Sequence, residues 1–187
     1  KVSVSTKHWM VAVANPLAAQ AGSRILARGG SAVDAAIAVQ LVLGLVEPQS
    51  SGLGGGSLLL VHDARAKRLV AYDGRETAPA ATRSDRFLKN GKPFEFHDAV
   101  IGGRSVGVPG TVRLLETAHQ RHGRLPWAEL FAPAIKLAED GFAISPRLHA
   151  LIGLDRYLTQ PRARAYFFDA NGKPLAVGSL LRNPAYA

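Results

Sequence analysis

Residues 47–60 read EPQSSGLGGGSLLL, four glycines and three serines that run into three leucines. A phosphate loop of the nucleotide-hydrolase type needs a Lys-Ser/Thr pair after its last glycine and a helix whose N-terminus faces the anion. Here Gly56 leads into SLLLV, a strand by composition, and the next lysine is Lys67. A dinucleotide site fails for the same reason, because its glycines also open a helix. Consecutive glycines entering a strand mark a place where another backbone or a ligand comes close, either as a structural contact or as the wall of a pocket.

Working outward from this stretch, helices lie on its N-terminal side. Val11 to Ala14 read as a short buried strand that stops at Asn15. Asn15 can cap the following turn, Pro16 suits the first helical position, and Gly29–Gly30 supply the exit. Ser31 then caps AVDAAIAVQLVLGLVEP, a helix apolar nearly all round and therefore expected to be enclosed on most faces, with Pro48 as its stop. On the C-terminal side, SLLLVHDARAKRLVAYDGRE gives two strand-like runs around a basic turn, a hairpin. SDRFLKNGKP reads as a short capped helix ending in a turn, and SVGVPGTVRLLETAHQRHG as a strand, a Pro-Gly bend and a helix closed by Gly123. A further helix starts at Pro126, breaks near Pro133 and resumes to Gly141, and Ser145 caps PRLHALIGLDRYL. The tail from Thr159, with DANGKP as a turn, is the least patterned part. Helices and strands mix without regular alternation, so an α+β or layered αββα arrangement fits better than a doubly wound sheet, with residues 1–187 forming a single domain or part of one.

Bulk properties exclude several function classes. Hydrophobic residues make up 47% and charged residues 20% of the chain, a globular composition and not a disordered one. No apolar stretch reaches membrane-spanning length, and the most hydrophobic segment, residues 32–46, is interrupted by Asp34 and Gln40. The chain has no cysteine, so disulfide and thiolate chemistry are absent. A net charge of +9 invites a nucleic-acid reading, and residues 64–124 hold twelve of the basic and six of the acidic residues. The cations are nevertheless scattered, with no run of like charge and no aromatics interleaved with the arginines as a stacking groove needs, so no nucleic-acid partner is expected.

The candidate chemistry sits just beyond the hairpin, in AYDGRETAPA, residues 71–80. Arg75 stands at the end of a strand, immediately before a Thr-Ala-Pro bend that should end regular pairing. From there an arginine can offer its planar fork to a carboxylate ligand, or close an internal salt bridge to Asp73, Glu76 or a distant acid. His119 and His122 are three apart on an expected helix, a spacing that suits shared metal ligation, but no third ligand stands at a recognisable distance; they read as surface histidines and no metal is expected. No Gly-x-Ser-x-Gly elbow occurs, and Glu139–Asp140 read as solvent-facing. The residues themselves contain no complete catalytic machine.

Taken together and in this order, MVAVANPLAAQAGSRILARGGSAVDAAIAVQLVLGLVEPQSSGLGGG, DGRETAPA, SVGVPGTV and APAIKLAEDGFAIS resemble the N-terminal part of the large subunit of a γ-glutamyltranspeptidase, over essentially the whole chain. The resemblance implies a four-layer αββα N-terminal-nucleophile hydrolase sandwich, of which this chain supplies a part. It also implies a precursor that cuts itself into large and small subunits. The family nucleophile is a threonine that begins the small subunit and attacks the γ-carbonyl of glutathione or a related γ-glutamyl amide, its own α-amino group acting as base. Neither that threonine nor the self-cleavage site matches anything in residues 1–187, so no catalytic residue is expected in this chain; the expected partners are the small subunit and the rest of the large one. In the family's Arg-Glu-x-Ala-Pro motif the arginine grips the α-carboxylate of the γ-glutamyl group, and Arg75 in GRETAP takes that place. The glycine run resembles an inner-sheet strand beside the pocket, with Gly54 to Gly56 structural. No cofactor is implied, and a periplasmic or secreted location is. Two other readings stay open: a glutaryl- or cephalosporin-type acylase of the same fold, and a non-catalytic relative that keeps the scaffold without the nucleophile.

Overall fold

The computed structural model describes residues 3–155, 158 and 160–187. Helix α1 (Pro16–Ala27) begins where the Asn15 side chain accepts from Leu17 N–H at 3.0 Å, with Pro16 in the first turn. Its exit is sealed by Gly30 N–H donating back to Ile25 C=O. Helix α2 (Ala32–Val46) opens on a capping box in which Ser31 Oγ accepts from Asp34 N–H and the Asp34 carboxylate accepts from Ser31 N–H. As its composition requires, α2 is the centre of the molecule: Ile37, Ala38, Val42 and Val46 are all but inaccessible. Helix α1 packs along it through Ala18, Ala21 and Ile25. Each aliphatic side chain buried this way contributes about 1.5–3 kcal/mol.

Strands β1 (Ser57–Asp63) and β2 (Arg68–Gly74) form the expected antiparallel hairpin, with Leu60 opposite Ala71. Period-two alternation gives β1 two faces: Leu59 and Val61 pack against the core, whereas Leu58 and Leu60 are exposed. Beyond the hairpin lie a two-residue pair, β3 (Leu88–Lys89) with β4 (Lys92–Pro93), the short helix α3 (Phe96–Val100) and helix α4 (Thr111–His122), which ends at Gly123. A 3-10 turn, Trp127–Leu130, precedes helix α5 (Ala132–Asp140), so the interruption falls just ahead of Pro133, as the sequence suggests. Strand β5 (Phe142–Ala143) pairs with β6 (Leu180–Leu181), and between them lie α6 (Pro146–Leu154), capped by Ser145, and α7 (Pro161–Phe167). Asp169 accepts from the N–H groups of Asn171 and Lys173, closing the DANGKP turn.

Four local expectations are corrected. Residues 11–14 are not a strand: Val11 and Val13 are half-buried and Ala12 and Ala14 exposed, a strand-like alternation with no laddered neighbour among the described residues. SDRFLKNGKP contains no helix; Asn90 and Gly91, both at positive φ, turn it into the tight β3–β4 hairpin, which a segment too short to nucleate a helix favours. The expected strand in SVGV shrinks to one bridge, Val108 to Thr77, after a 3-10 turn at Gly103–Ser105. Residues 52–56 are not strand but a loop that turns at Leu53–Gly54, with β1 starting only at Ser57. The helix after Ser145 ends at Leu154, and Arg156 and Tyr157 of its expected continuation lie outside the described residues.

The α+β class holds. Among the described residues the sheets are three two-stranded antiparallel pieces, so these residues contribute a hairpin and its helical cover to the expected sandwich and not two stacked sheets.

Candidate functional site

The exit of β2 is fixed by backbone packing. A Cβ on Gly110 would stand 2.7 Å from the carbonyl carbon of Gly74, so the start of α4 rests directly on the end of the strand. Gly110 N–H, Thr111 N–H and the Thr111 hydroxyl all donate to Gly55 C=O, at 3.1, 3.1 and 3.0 Å, which ties the glycine turn to the same helix end. A Cβ on Gly56 would lie 2.8 Å from Gly74 C=O and collide with the Glu76 carboxylate. Gly56 is therefore small because the acid of the GRETAP motif and the end of β2 lie against it, and a Cβ on Gly55 would stand 3.3 Å from Glu76 Oε1. Gly54 meets nothing within 4 Å and is not constrained in this way.

Arg75 leaves this knot at its solvent side. Its N–H donates to Asp73 Oδ1 at 2.9 Å, so Asp73 fixes the backbone and does not face the guanidinium. The side chain is 68% exposed, with Nη1 3.3 Å from Glu76 Oε2. Glu76 has its carboxyl held below the ordinary range by its own backbone N–H and that of Gly56, with the Arg75 charge adding to this and desolvation opposing it. Oε2 is itself inaccessible to solvent and makes no well-formed hydrogen bond. The pair is thus a loose contact between a largely buried anion oxygen and an exposed cation, and most of the five guanidinium N–H donors remain open.

Arg75 and Glu76 line a cleft of about 360 Å³. Its other walls are the Thr77–Pro79 bend, Thr82, Arg86 and Phe87, and the Arg104–Gly107 segment. This volume suits a small molecule the size of a modified amino acid or dipeptide. The Ser105 hydroxyl donates to Val100 C=O at 2.6 Å, and no histidine lines the cleft. The arrangement can bind and orient an anion.

The histidine reading is corrected. His119 is only 17% exposed; its Nε2 lies 2.8 Å from Leu125 C=O and 3.6 Å from the fully buried Asp34, which also accepts from Arg124 N–H and Leu125 N–H. His122 instead meets the Tyr72 hydroxyl at 2.7 Å. Both are structural, and among the described residues no group of three or more His, Asp or Glu is placed to hold a metal. A second buried acid, Glu47, accepts from Asn15 Nδ2 at 3.1 Å and lies 3.3 Å from Arg147 Nε. Sequence reasoning missed this link between the α1 cap and α6, because the three residues stand far apart in the chain. The exposed Glu139 and Asp140 behave as expected.

The family described as Gamma-glutamyltranspeptidase matches residues 18–187. The "Glutathione hydrolase proenzyme" of Bacillus subtilis (strain 168) is 42% identical over 177 residues, which are 94% of this chain and 30% of that protein. The crystal structure of Helicobacter pylori gamma-glutamyltranspeptidase superposes with a TM-score of 0.90 at 32% identity, covering 99% of this chain and 53% of that one. A cephalosporin acylase from Bacillus halodurans matches less well, with a TM-score of 0.68 at 29% identity over 90% of this chain and 32% of that one. The chain thus spans about a third of the curated relative and about half of the solved H. pylori chain.

Proposed function

The chain belongs to the γ-glutamyltranspeptidase family, and from that premise we propose that its whole protein hydrolyses or transfers γ-glutamyl amides such as glutathione. In this reading residues 1–187 form part of one domain of the large subunit and supply the clamp for the donor's α-carboxylate. The remainder of the large subunit and a small subunit beginning with threonine are the partners. The threonine hydroxyl forms an ester bond to the γ-carbonyl carbon as the amide C–N bond breaks, and the hydroxyl proton passes through the α-amino group to the leaving amine. Water or an acceptor amine then takes the γ-glutamyl group. Among the described residues no helix is long and apolar enough to cross a membrane; an exported location, periplasmic or secreted, is the one we propose.

The observation that carries the reading is the place of Arg75. It occupies the motif position in GRETAP, stands where β2 ends, and turns a largely unsatisfied guanidinium toward a cleft of substrate size. A charge-assisted contact of this kind is worth about 1.5–3 kcal/mol, or about one to two powers of ten in binding. In the assembled enzyme, Arg75→Ala should raise KM for γ-glutamyl donors by that factor and leave self-cleavage intact. An unchanged KM would remove the clamp assignment.

The acylase match supports a second reading, a cephalosporin-type acylase of the same fold. A donor lacking the α-amino group separates the two, because a γ-glutamyl enzyme should process it poorly. The intact mass of the full expressed protein tests for an unprocessed, non-catalytic relative: a second fragment beginning with threonine supports the enzyme.

A further inference from the structure

We propose that Arg86 and Arg104 form a second anion subsite in the Arg75 cleft, one that takes a second carboxylate of the donor, so that γ-glutamyl peptides with a free carboxylate are preferred over neutral γ-glutamyl amides. This rests on the γ-glutamyl reading above and adds the substrate class.

Three arginines face the cleft, and they are held in different ways. Arg75 lies beside Glu76, the only acid among the lining residues. Arg86 and Arg104 instead clasp each other through neutral acceptors. Arg86 Nε donates to Arg104 C=O at 2.6 Å and Arg86 Nη2 to Gly103 C=O at 3.4 Å, while Arg104 Nη1 donates back to Arg86 C=O. The Arg104 guanidinium also lies over the Phe94 ring, 4.8 Å from its centroid. These contacts fix both planes without cancelling either charge. Among the described residues neither guanidinium has a carboxylate within ion-pair distance, whereas Arg28, Arg75, Arg83, Arg113 and Arg147 each do. Asp85, the acid adjacent in sequence to Arg86, is engaged by Arg83 Nε at 3.2 Å.

The clasp uses two donors of Arg86 and one of Arg104, so each fork keeps N–H groups for a ligand. Concentrating uncompensated, pre-oriented guanidinium charge in a concave site is how proteins select carboxylates, and mutual repulsion of the two cations raises the reward for an anion between them. With one carboxylate of the donor on Arg75, a second one further along the molecule is what Arg86 and Arg104 can hold.

The test uses the full-length assembled enzyme and two donors that differ by one charge, glutathione and its glycine ethyl ester. The unmutated enzyme should show a KM for the ester about two- to fivefold above that for glutathione, the size expected of partly exposed charge pairs. Arg104→Gln and, separately, Arg86→Gln should raise KM for glutathione to the ester's value and leave the ester unchanged. Equal KM for the two donors in the unmutated enzyme, or a variant that shifts both donors alike, overturns the subsite. Arg75→Ala reports on the parent reading separately, since loss of the α-carboxylate clamp weakens both donors equally. Calorimetric binding of the same two ligands decides the matter if neither is turned over: tighter binding of glutathione, lost in Arg104→Gln, upholds the subsite, and equal binding removes it.

Discussion

Glu76 and Gly56 illustrate how a single contact sets the position of a functional side chain. The carboxylate reaches back over the glycine turn, and the room it occupies is the room a side chain at position 56 would need. Gly56→Ala should therefore destabilise the assembled protein by about 1–3 kcal/mol, as overpacking at a site without slack does. Chemical denaturation of the variant against the parent checks this, and a change below the error of the measurement would mean that the turn yields. Glu76 also predicts a pH dependence. Its folded carboxyl is held below the ordinary range, so its contribution to stability is present in full above that range and is lost as pH falls through the folded value. The stability difference between the parent and Glu76→Gln should accordingly be constant near neutrality and shrink toward zero in acid. A difference that grows on acidification would reverse the assignment.

At the scale of elements, α2 is held in place by one acid doing two tasks. Asp34 closes the capping box with Ser31, and its buried Oδ2 also accepts from Arg124 N–H at 2.9 Å and Leu125 N–H at 3.2 Å, binding the loop after α4 to the start of α2. Removing the cap alone, by Ser31→Ala, should cost about 1 kcal/mol. Asp34→Ala strips the acceptor from three partly buried N–H groups at once, and a donor left unpaired away from water costs about 1–3 kcal/mol, so its effect should be larger. Thermal melts of the two variants give the ratio; near-equal losses would show that the loop finds other partners. The capping half of this role is legible as Ser-x-x-Asp in the sequence, and the loop half is not, because ninety residues separate Asp34 from Arg124.

For the whole molecule, the exposed side of the hairpin is the telling surface. Leu58, Leu60 and Leu69 are 70%, 67% and 63% exposed, and β1 and β2 have no further strand beside them among the described residues. Open strand edges and contiguous apolar surface favour association. On the proposed reading, in which this chain is part of a larger protein whose remainder covers this face, the isolated 187-residue chain should self-associate and bind a hydrophobic dye, and the complete protein should do neither. Size-exclusion chromatography of both decides it, and a monodisperse, dye-negative fragment would contradict the expectation.

The local signals in the sequence were sufficient where the physics is local. Asn15, Ser31 and Ser145 cap their helices, Gly123 and Gly141 end theirs, and the apolar run after Ser57 makes a strand, because each of these depends on neighbours within a turn or two. Residues 11–14 and 84–93 differ from expectation for the complementary reason: a strand needs a partner that sequence alone does not supply, and a short capped segment whose large apolar residues are Phe87 and Leu88 does not outweigh an Asn-Gly turn. The GRETAP motif singles out Arg75 in the sequence, but the Arg86–Arg104 clasp, the Glu47 link and the burden on Gly56 were decided by tertiary structure. They join side chains that lie from eighteen to a hundred residues apart, and only the packing of α4 on the end of β2, and of α6 near the start of α1, brings such groups within hydrogen-bonding reach.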